Sequence, residues 1–102
     1  MKIVNENEFQ NEIKEGVVFV DFFATWCNPC RMMGAVLEDV DKEISGKAKI
    51  IKVDVDQSEN LAKTFGIMSI PTIIIFKNGQ MVEKSVGYMQ KDQCVELIKK
   101  YL

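Results

Sequence analysis

Residues 17–30 read VVFVDFFATWCNPC and place two cysteines, Cys27 and Cys30, directly after a run that is apolar except at Asp21. Because both alternating faces of this run are apolar, it predicts a strand covered on both sides, as in a parallel sheet. Pro29 suits the first turn of a helix, so the cysteines fall where a strand passes into a helix. A helix start offers unpaired backbone N–H groups that stabilise a thiolate. The position of the two cysteines therefore favours a reactive role for their thiols over a purely structural one.

Outward from this junction, the sequence predicts an alternation of helices and strands with one hairpin near the end. The signals are a capping box at Asn5 and Glu8, helical spacing of apolar residues, and the Asn78-Gly79 turn. The predicted elements are helices at 5–16, 29–45, 58–66 (capped by Ser58) and 91–102, and strands at 17–24, 49–56, 72–76 and 80–86. This order is typical of an α/β fold with a central mixed sheet and helices on both faces. The site should lie at the carboxyl ends of the parallel strands.

Length and charge limit the classes of protein that remain. The chain has 102 residues, which predicts one domain spanning 1–102. A net charge of -2 gives no electrostatic reason to expect a nucleic-acid partner. The first residues, 1–12, contain three glutamates and no long apolar run, so we expect neither a signal peptide nor a membrane span. We therefore expect a cytoplasmic protein.

The count of three cysteines and no histidine excludes several kinds of site. A structural zinc site needs four such ligands, c-type haem attachment needs a histidine where Arg31 stands, and a Cys–His or Ser–His triad needs an imidazole. A permanent structural disulfide is disfavoured in a reducing compartment. No metal is expected, and thiol redox chemistry is favoured over structural cysteines.

Three segments carry a resemblance to a known family. The stretch 19–30 resembles the active-site segment of the thioredoxins, 66–72 resembles their second signature, and 77–79 followed by Val86-Gly87 continues the match in order. The resemblance implies the thioredoxin fold and a protein disulfide reductase. It implies that Cys27 attacks a substrate disulfide and that Cys30 resolves the mixed disulfide. Cys27 lies nearer the free N–H groups of the helix start, and Cys30 should be more buried, which is consistent with that order.

Asp21 and Lys52 form the second predicted part of the catalytic site. Burial of a carboxylate should raise the pKa of Asp21, which makes it a plausible proton acceptor for Cys30. The resemblance implies that Lys52 is its partner. Two alternatives stay open from the residues alone: a structural ion pair between Asp21 and Lys52, or an Asp21 that faces water at a strand end.

A substrate groove follows from the resemblance, which also implies that the Ile70–Pro71 peptide bond is cis. On local evidence alone, Pro71 and Gly87 could simply open and end strands. The residues expected to line the groove are Trp26, Asn28, Pro29, Ile70, Pro71 and Gly87.

Four residues depart from the family pattern, and the first matters most for the redox chemistry. Asn28 replaces a usual glycine between the cysteines, which leaves the reduction potential open. The others are Phe23, where many relatives have tryptophan, Ala35, where a proline usually kinks the helix, and Tyr88, where small residues are common. Cys94 is expected to fill the core, and Arg31 to be a solvated side chain that mildly tunes the site.

The leading hypothesis for function is a monomeric reductase acting on disulfide-containing client proteins. No G-x-G-x-x-G loop is present, so no bound cofactor is expected beyond the reversible Cys27–Cys30 disulfide. Electrons should then come from an external donor similar to thioredoxin reductase. An oxidase or isomerase of the same fold is an alternative, and so is a binding module that uses the groove while the thiols are incidental.

Overall fold

The computed structural model describes all residues, 1–102, in nine elements. They are β1 (Lys2–Ile3), α1 (Glu6–Ile13), β2 (Val17–Phe23), α2 (Asn28–Ile44), β3 (Lys49–Asp54), α3 (Glu59–Thr64), β4 (Thr72–Lys77), β5 (Gln80–Val86) and α4 (Lys91–Lys99). The predicted order is confirmed except for β1, which the sequence analysis missed. A strand of two exposed residues carries no alternation to detect, and it exists only because it pairs with β3.

The five strands form one mixed sheet in the order β1-β3-β2-β4-β5. β1 and β2 run parallel to β3, whereas β4 lies antiparallel to both β2 and β5. The central strand, β2, is buried at every residue, as its continuous apolar run predicts. The predicted α/β fold with a mixed central sheet is therefore confirmed.

Helices cover both faces of the sheet, and each face has its own core. On one face α2 and α4 pack against Phe19, Ile73 and Ile75, and on the other α1 and α3 pack against side chains such as Val20 and Phe22. Each fully buried apolar side chain of this size contributes about 1.5–3 kcal/mol. By alternation along β2, Asp21 points to the α2 and α4 face, where burial of a charge is unfavourable.

The local signals at helix ends and turns are mostly confirmed. Asn5 Oδ1 accepts the Glu8 N–H at 2.9 Å while Glu8 Oε1 accepts the Asn5 N–H at 3.1 Å, completing the capping box. Ser58 does precede α3, but the prediction that its side chain caps the helix is wrong. Its backbone lies at φ -126° and ψ 61°, and its side chain makes no capping hydrogen bond.

The hairpin turn between β4 and β5 is fastened to the start of the central strand. Asn78 and Gly79 adopt φ values of 51° and 85°, which suit the Asn-Gly pair of a two-residue hairpin. Asn78 Oδ1 accepts the Gly16 N–H at 2.9 Å, and the Asn78 N–H donates to the Gly16 carbonyl at 2.9 Å. The turn thus fixes β4 at one end of β2, opposite the end that carries the cysteines. None of the helices is long and apolar enough to cross a membrane.

Candidate active site

Cys27 and Cys30 are joined as a disulfide at the end of β2 and the start of α2, with their Cα atoms 5.2 Å apart. Cys27 is the N-cap residue of α2, and the Cys30 N–H donates to Cys27 Sγ at 3.2 Å. Cys27 is 6% exposed and Cys30 2%, so the expected order of burial is confirmed. The backbone donor at the helix start is therefore aimed at the sulfur of Cys27, the more exposed cysteine.

The sequence around the cysteines explains this local geometry. A turn brings the Cys27 N–H to the Ala24 carbonyl at 3.2 Å, and Cys27 itself is extended at φ -93° and ψ 112°. Pro29 lies in the first helical turn, where a missing N–H costs nothing. The strand therefore ends and the helix begins within a few residues, which places both sulfurs beyond the carboxyl end of the central strand.

The segment before β4 lies beside the disulfide. Ile70 packs against the small apolar cluster of Phe23, Ala24, Cys27 and Cys30, and its carbonyl oxygen is 4.0 Å from Cys27 Sγ. The Ile70–Pro71 peptide bond is cis, as the family resemblance implied.

A backbone hydrogen bond holds Gly87 next to Pro71, in the segment that lies beside the disulfide. Its N–H donates to the Pro71 carbonyl at 2.8 Å, and it adopts φ 102°, a conformation that favours glycine. Pro71 itself is buried, while Asn28 and Pro29 are exposed on the other side of the cysteines. The predicted groove residues therefore lie on the segments that carry or flank the disulfide, with Gly87 joined to them through Pro71.

Trp26 provides an exposed apolar wall next to the disulfide. Its side chain is 65% exposed, and its indole N–H donates to Asp56 Oδ2 at 2.8 Å. A shallow cavity of about 190 Å³ separates this ring from Met68, which is 94% exposed, and from Ile70. Asp56 and Met68 were not predicted as site residues. Met68 lies within the 66–72 signature, which was the available signal for it, whereas no local pattern indicated Asp56.

Asp21 lies in the core with neither carboxylate oxygen hydrogen-bonded. Burial raises its pKa to about 7, and the positive charge of Lys52 opposes that rise. The alternative in which Asp21 faces water is therefore wrong.

Lys52 lies beside Asp21 in the sheet, but their side chains do not pair directly. The two residues are neighbours in the register of β2 and β3, but no ion pair or hydrogen bond joins their side chains. The Lys52 ammonium instead lies 4.3 Å from the centroid of the Phe23 ring, a cation–π contact. The structural ion pair is thus not formed, and Lys52 acts on Asp21 through its charge.

Cys94 is buried in α4 among apolar side chains, as expected of a residue that fills the core. Burial raises the pKa of its thiol to about 11, and the nearby charge of Asp21 adds to the effect. Cys94 is therefore a neutral thiol at physiological pH. No group of three or more acidic or sulfur ligands lies close enough to hold a metal ion.

A strand that delivers a Cys-x-x-Cys disulfide to a helix N-terminus, beside a cis-proline segment, defines a thiol–disulfide oxidoreductase. The thioredoxin family model matches residues 1–100. The chain is 46% identical over 97 residues to the thioredoxin of Bacillus subtilis (strain 168), covering 95% of this chain and 93% of that protein. It is 46% identical over 99 residues to the thioredoxin of Staphylococcus saprophyticus, covering 97% and 95%. The chain belongs to the thioredoxin family.

A solved structure agrees with this assignment. A single-residue mutant of the thioredoxin from Halobacterium salinarum NRC-1 superposes with a TM-score of 0.89 at 32% identity, over 99% of this chain and 88% of that one. The chain is thus a protein disulfide reductase with a redox-active disulfide formed by Cys27 and Cys30.

Proposed function

We propose that Cys27 is the nucleophile of this reductase and Cys30 the resolving cysteine. The Cys27 thiolate attacks one sulfur of a client disulfide, forming a mixed disulfide and releasing the first client thiolate. The Cys30 thiolate then attacks Cys27 Sγ, forming the Cys27–Cys30 disulfide and releasing the second client thiolate. Two electrons pass to the client, and each released thiolate takes up a proton at neutral pH.

The observation that carries this order is the 3.2 Å hydrogen bond from the Cys30 N–H to Cys27 Sγ. A backbone donor aimed at a sulfur stabilises that sulfur as a thiolate, and the helix N-terminus adds to the effect. Cys27 also has the greater exposure of the two, so a client disulfide reaches it first. Both facts favour attack by Cys27 and resolution by Cys30.

Asp21 is proposed to accept the proton of Cys30 during resolution. Its pKa of about 7 lets it change protonation state near neutral pH, and its unpaired oxygens leave it free to accept a hydrogen bond. By alternation along β2, Asp21 shares its face of the strand with Phe23, which belongs to the same apolar cluster as Cys30, and this supports the proposal. Lys52 is proposed to support this role through its charge.

The client's extended segment is proposed to lie in the groove described above. The Ile70 backbone beside Cys27 Sγ offers strand-like pairing, while Trp26 and Ile70 offer apolar contacts to client side chains. Asn28 and Pro29 border the groove on the helix side, and Pro71 and Gly87 on the sheet side.

We further propose that the chain works as a single domain, 1–102, and as a cytoplasmic monomer. Its clients are disulfide-containing proteins, and a donor similar to thioredoxin reductase returns two electrons to the Cys27–Cys30 disulfide. Neither a further cofactor nor a metal takes part.

The test is a trapping experiment on the full chain. Reduced Cys30→Ser protein is mixed with a disulfide-bonded model protein, and covalent adducts are separated without reducing agent. We expect adducts that map to Cys27 and that dithiothreitol reverses, whereas the matched Cys27→Ser variant forms almost none. Adducts that instead accumulate through Cys30 in Cys27→Ser would overturn the order of the two cysteines.

A further inference from the structure

Three residues around the disulfide take no part in the exchange steps proposed above. Arg31 follows Cys30 on α2 and its guanidinium turns back over the helix start. Nε and Nη2 donate to the Thr25 carbonyl at 3.3 and 3.1 Å, and Nη1 donates to Asn28 Oδ1 at 3.0 Å. We call this arrangement of Thr25, Asn28 and Arg31 the Arg31 clasp. Arg31 is exposed, as expected of a solvated side chain, and these hydrogen bonds, which were not predicted, fix its position.

The helix dipole does not explain why Arg31 lies in the first turns of α2. The N-terminus of a helix is its positive end, so a cation in the first turns is disfavoured. Arg31 also takes part in none of the salt bridges of the chain. Three hydrogen bonds to neutral oxygens hold it instead, so its positive charge has no ion-pair partner.

The two acceptors of the clasp lie on either side of Cys27 in the chain. Thr25 is part of the turn that precedes Cys27, and Asn28 is the next residue after it. The guanidinium therefore bridges both sides of the attacking cysteine. Only a side-chain acceptor at position 28 completes the bridge, because the glycine usual at that position has none.

We propose that the Arg31 clasp fixes a positive charge beside Cys27 and so stabilises its thiolate, with Asn28 and Arg31 as positioning residues. The inference rests on the proposed role of Cys27. A stabilised thiolate favours the dithiol over the disulfide, so the clasp raises the reduction potential of the pair. Opening the clasp makes the protein more strongly reducing but leaves less thiolate at neutral pH.

The test follows the alkylation of Cys27 in the reduced full-length chain. The rate with iodoacetamide is measured against pH for wild type, Asn28→Ala, Arg31→Gln and the double variant, with the modified residue identified by mass spectrometry. The Cys27–Cys30 disulfide is also equilibrated with glutathione buffers to obtain the potential. Lys47→Gln removes an exposed charge at the other end of the sheet and serves as the matched control.

Arg31→Gln should alkylate roughly threefold more slowly at pH 7, the scale expected for one partly screened charge near a thiolate. Asn28→Ala should slow alkylation in the same direction but by less, because the two hydrogen bonds from Arg31 to the Thr25 carbonyl remain. In both variants the half-maximal rate should move to higher pH and the potential should become more negative, while Lys47→Gln matches wild type. Asn28→Ala should add nothing to Arg31→Gln, because Asn28 acts only by holding that charge. The proposal is overturned if the two effects add fully or if neither variant differs from Lys47→Gln.

This readout uses no client protein, so it is separate from the trapping experiment. Suppose that the Asn28→Ala and Arg31→Gln effects on alkylation do not add, but that no adducts with the model protein form. This result would refute the attack of Cys27 on clients and leave the clasp intact. If adducts form normally but the two substitutions show no coupled effect on alkylation, only the clasp would be refuted.

Discussion

Replacing Asp21 by asparagine should remove most of the pH dependence of stability between pH 5 and 8. Burial raises the pKa of Asp21 from 3.8 to about 7, so the folded state binds this proton more tightly than the unfolded chain does. The free energy of unfolding therefore falls as pH rises from 3.8 through 7 and stays low above that. The full difference is about 4 kcal/mol, of which about 3 kcal/mol falls above pH 5.

No other shifted group interferes in this range. The glutamates with shifted pKa values, Glu8, Glu12, Glu43 and Glu83, all have them lowered below 4.5. The shifted lysine, tyrosine and Cys94 groups titrate at 10 or above, and the chain has no histidine. In the oxidised protein, Cys27 and Cys30 do not titrate.

The assay is urea unfolding of the oxidised protein at pH 5, 6, 7 and 8, followed by circular dichroism. Wild type should lose about 3 kcal/mol between pH 5 and 8, whereas Asp21→Asn should change little. The amide leaves buried polar atoms unpaired, which costs about 1–3 kcal/mol at every pH and so does not affect the slope. Asp21→Asn should therefore be the more stable protein at pH 8. Asp39→Asn, an exposed substitution on α2, serves as the control. Equal slopes for wild type and Asp21→Asn would show that folding does not raise the pKa of Asp21 and would refute the reasoning.

Four further predictions concern a helix cap, the core, the groove and the kinetics of exchange. Asn5→Ala should lower the free energy of unfolding by about 1 kcal/mol through loss of the capping box, and an unchanged urea midpoint would contradict this. Cys94→Ser should destabilise the fold by about 1–3 kcal/mol because its buried hydroxyl has no partner, yet leave client reduction unchanged; lost activity in the folded variant would show that Cys94 is more than a core residue. Met68→Ser should raise the KM for client proteins roughly twofold to tenfold with little change in kcat, since it removes only apolar contact in the groove; an effect confined to kcat would argue against that contact. Asp21→Asn should slow resolution by Cys30 more than attack by Cys27 in single-turnover kinetics, and equal slowing of both steps would refute its proton-accepting role.

Local sequence signals were sufficient for most elements of the fold. The apolar run of β2, the spacing of buried residues along α2 and the Asn78-Gly79 turn each follow from interactions within one segment, so they can be read without tertiary information. Ser58 shows where such signals fail. Its residue type fits an N-cap, but the backbone entering α3 takes a conformation in which the side chain makes no capping bond.

Contacts between distant segments were decided by the tertiary structure alone. The two-residue strand β1 exists because β3 offers it an edge, and Lys52 lies over the Phe23 ring instead of pairing with the Asp21 carboxylate. The Trp26–Asp56 hydrogen bond joins residues from two loops and has no local signal.

The sequence by itself determined the two reactive cysteines and their place at a strand-to-helix junction, because these depend on residue types and short-range periodicity. The class of protein was implied by the resemblance of its motifs to those of the thioredoxins. The tertiary structure decided what surrounds the cysteines: a carboxylate without hydrogen bonds in the core, the Ile70 carbonyl near Cys27 Sγ, and an arginine held by Asn28 and Thr25. The physical reason is that burial, and the direction in which each side chain finds a partner, are properties of the packed chain as a whole. A residue's identity sets only which partners it could accept.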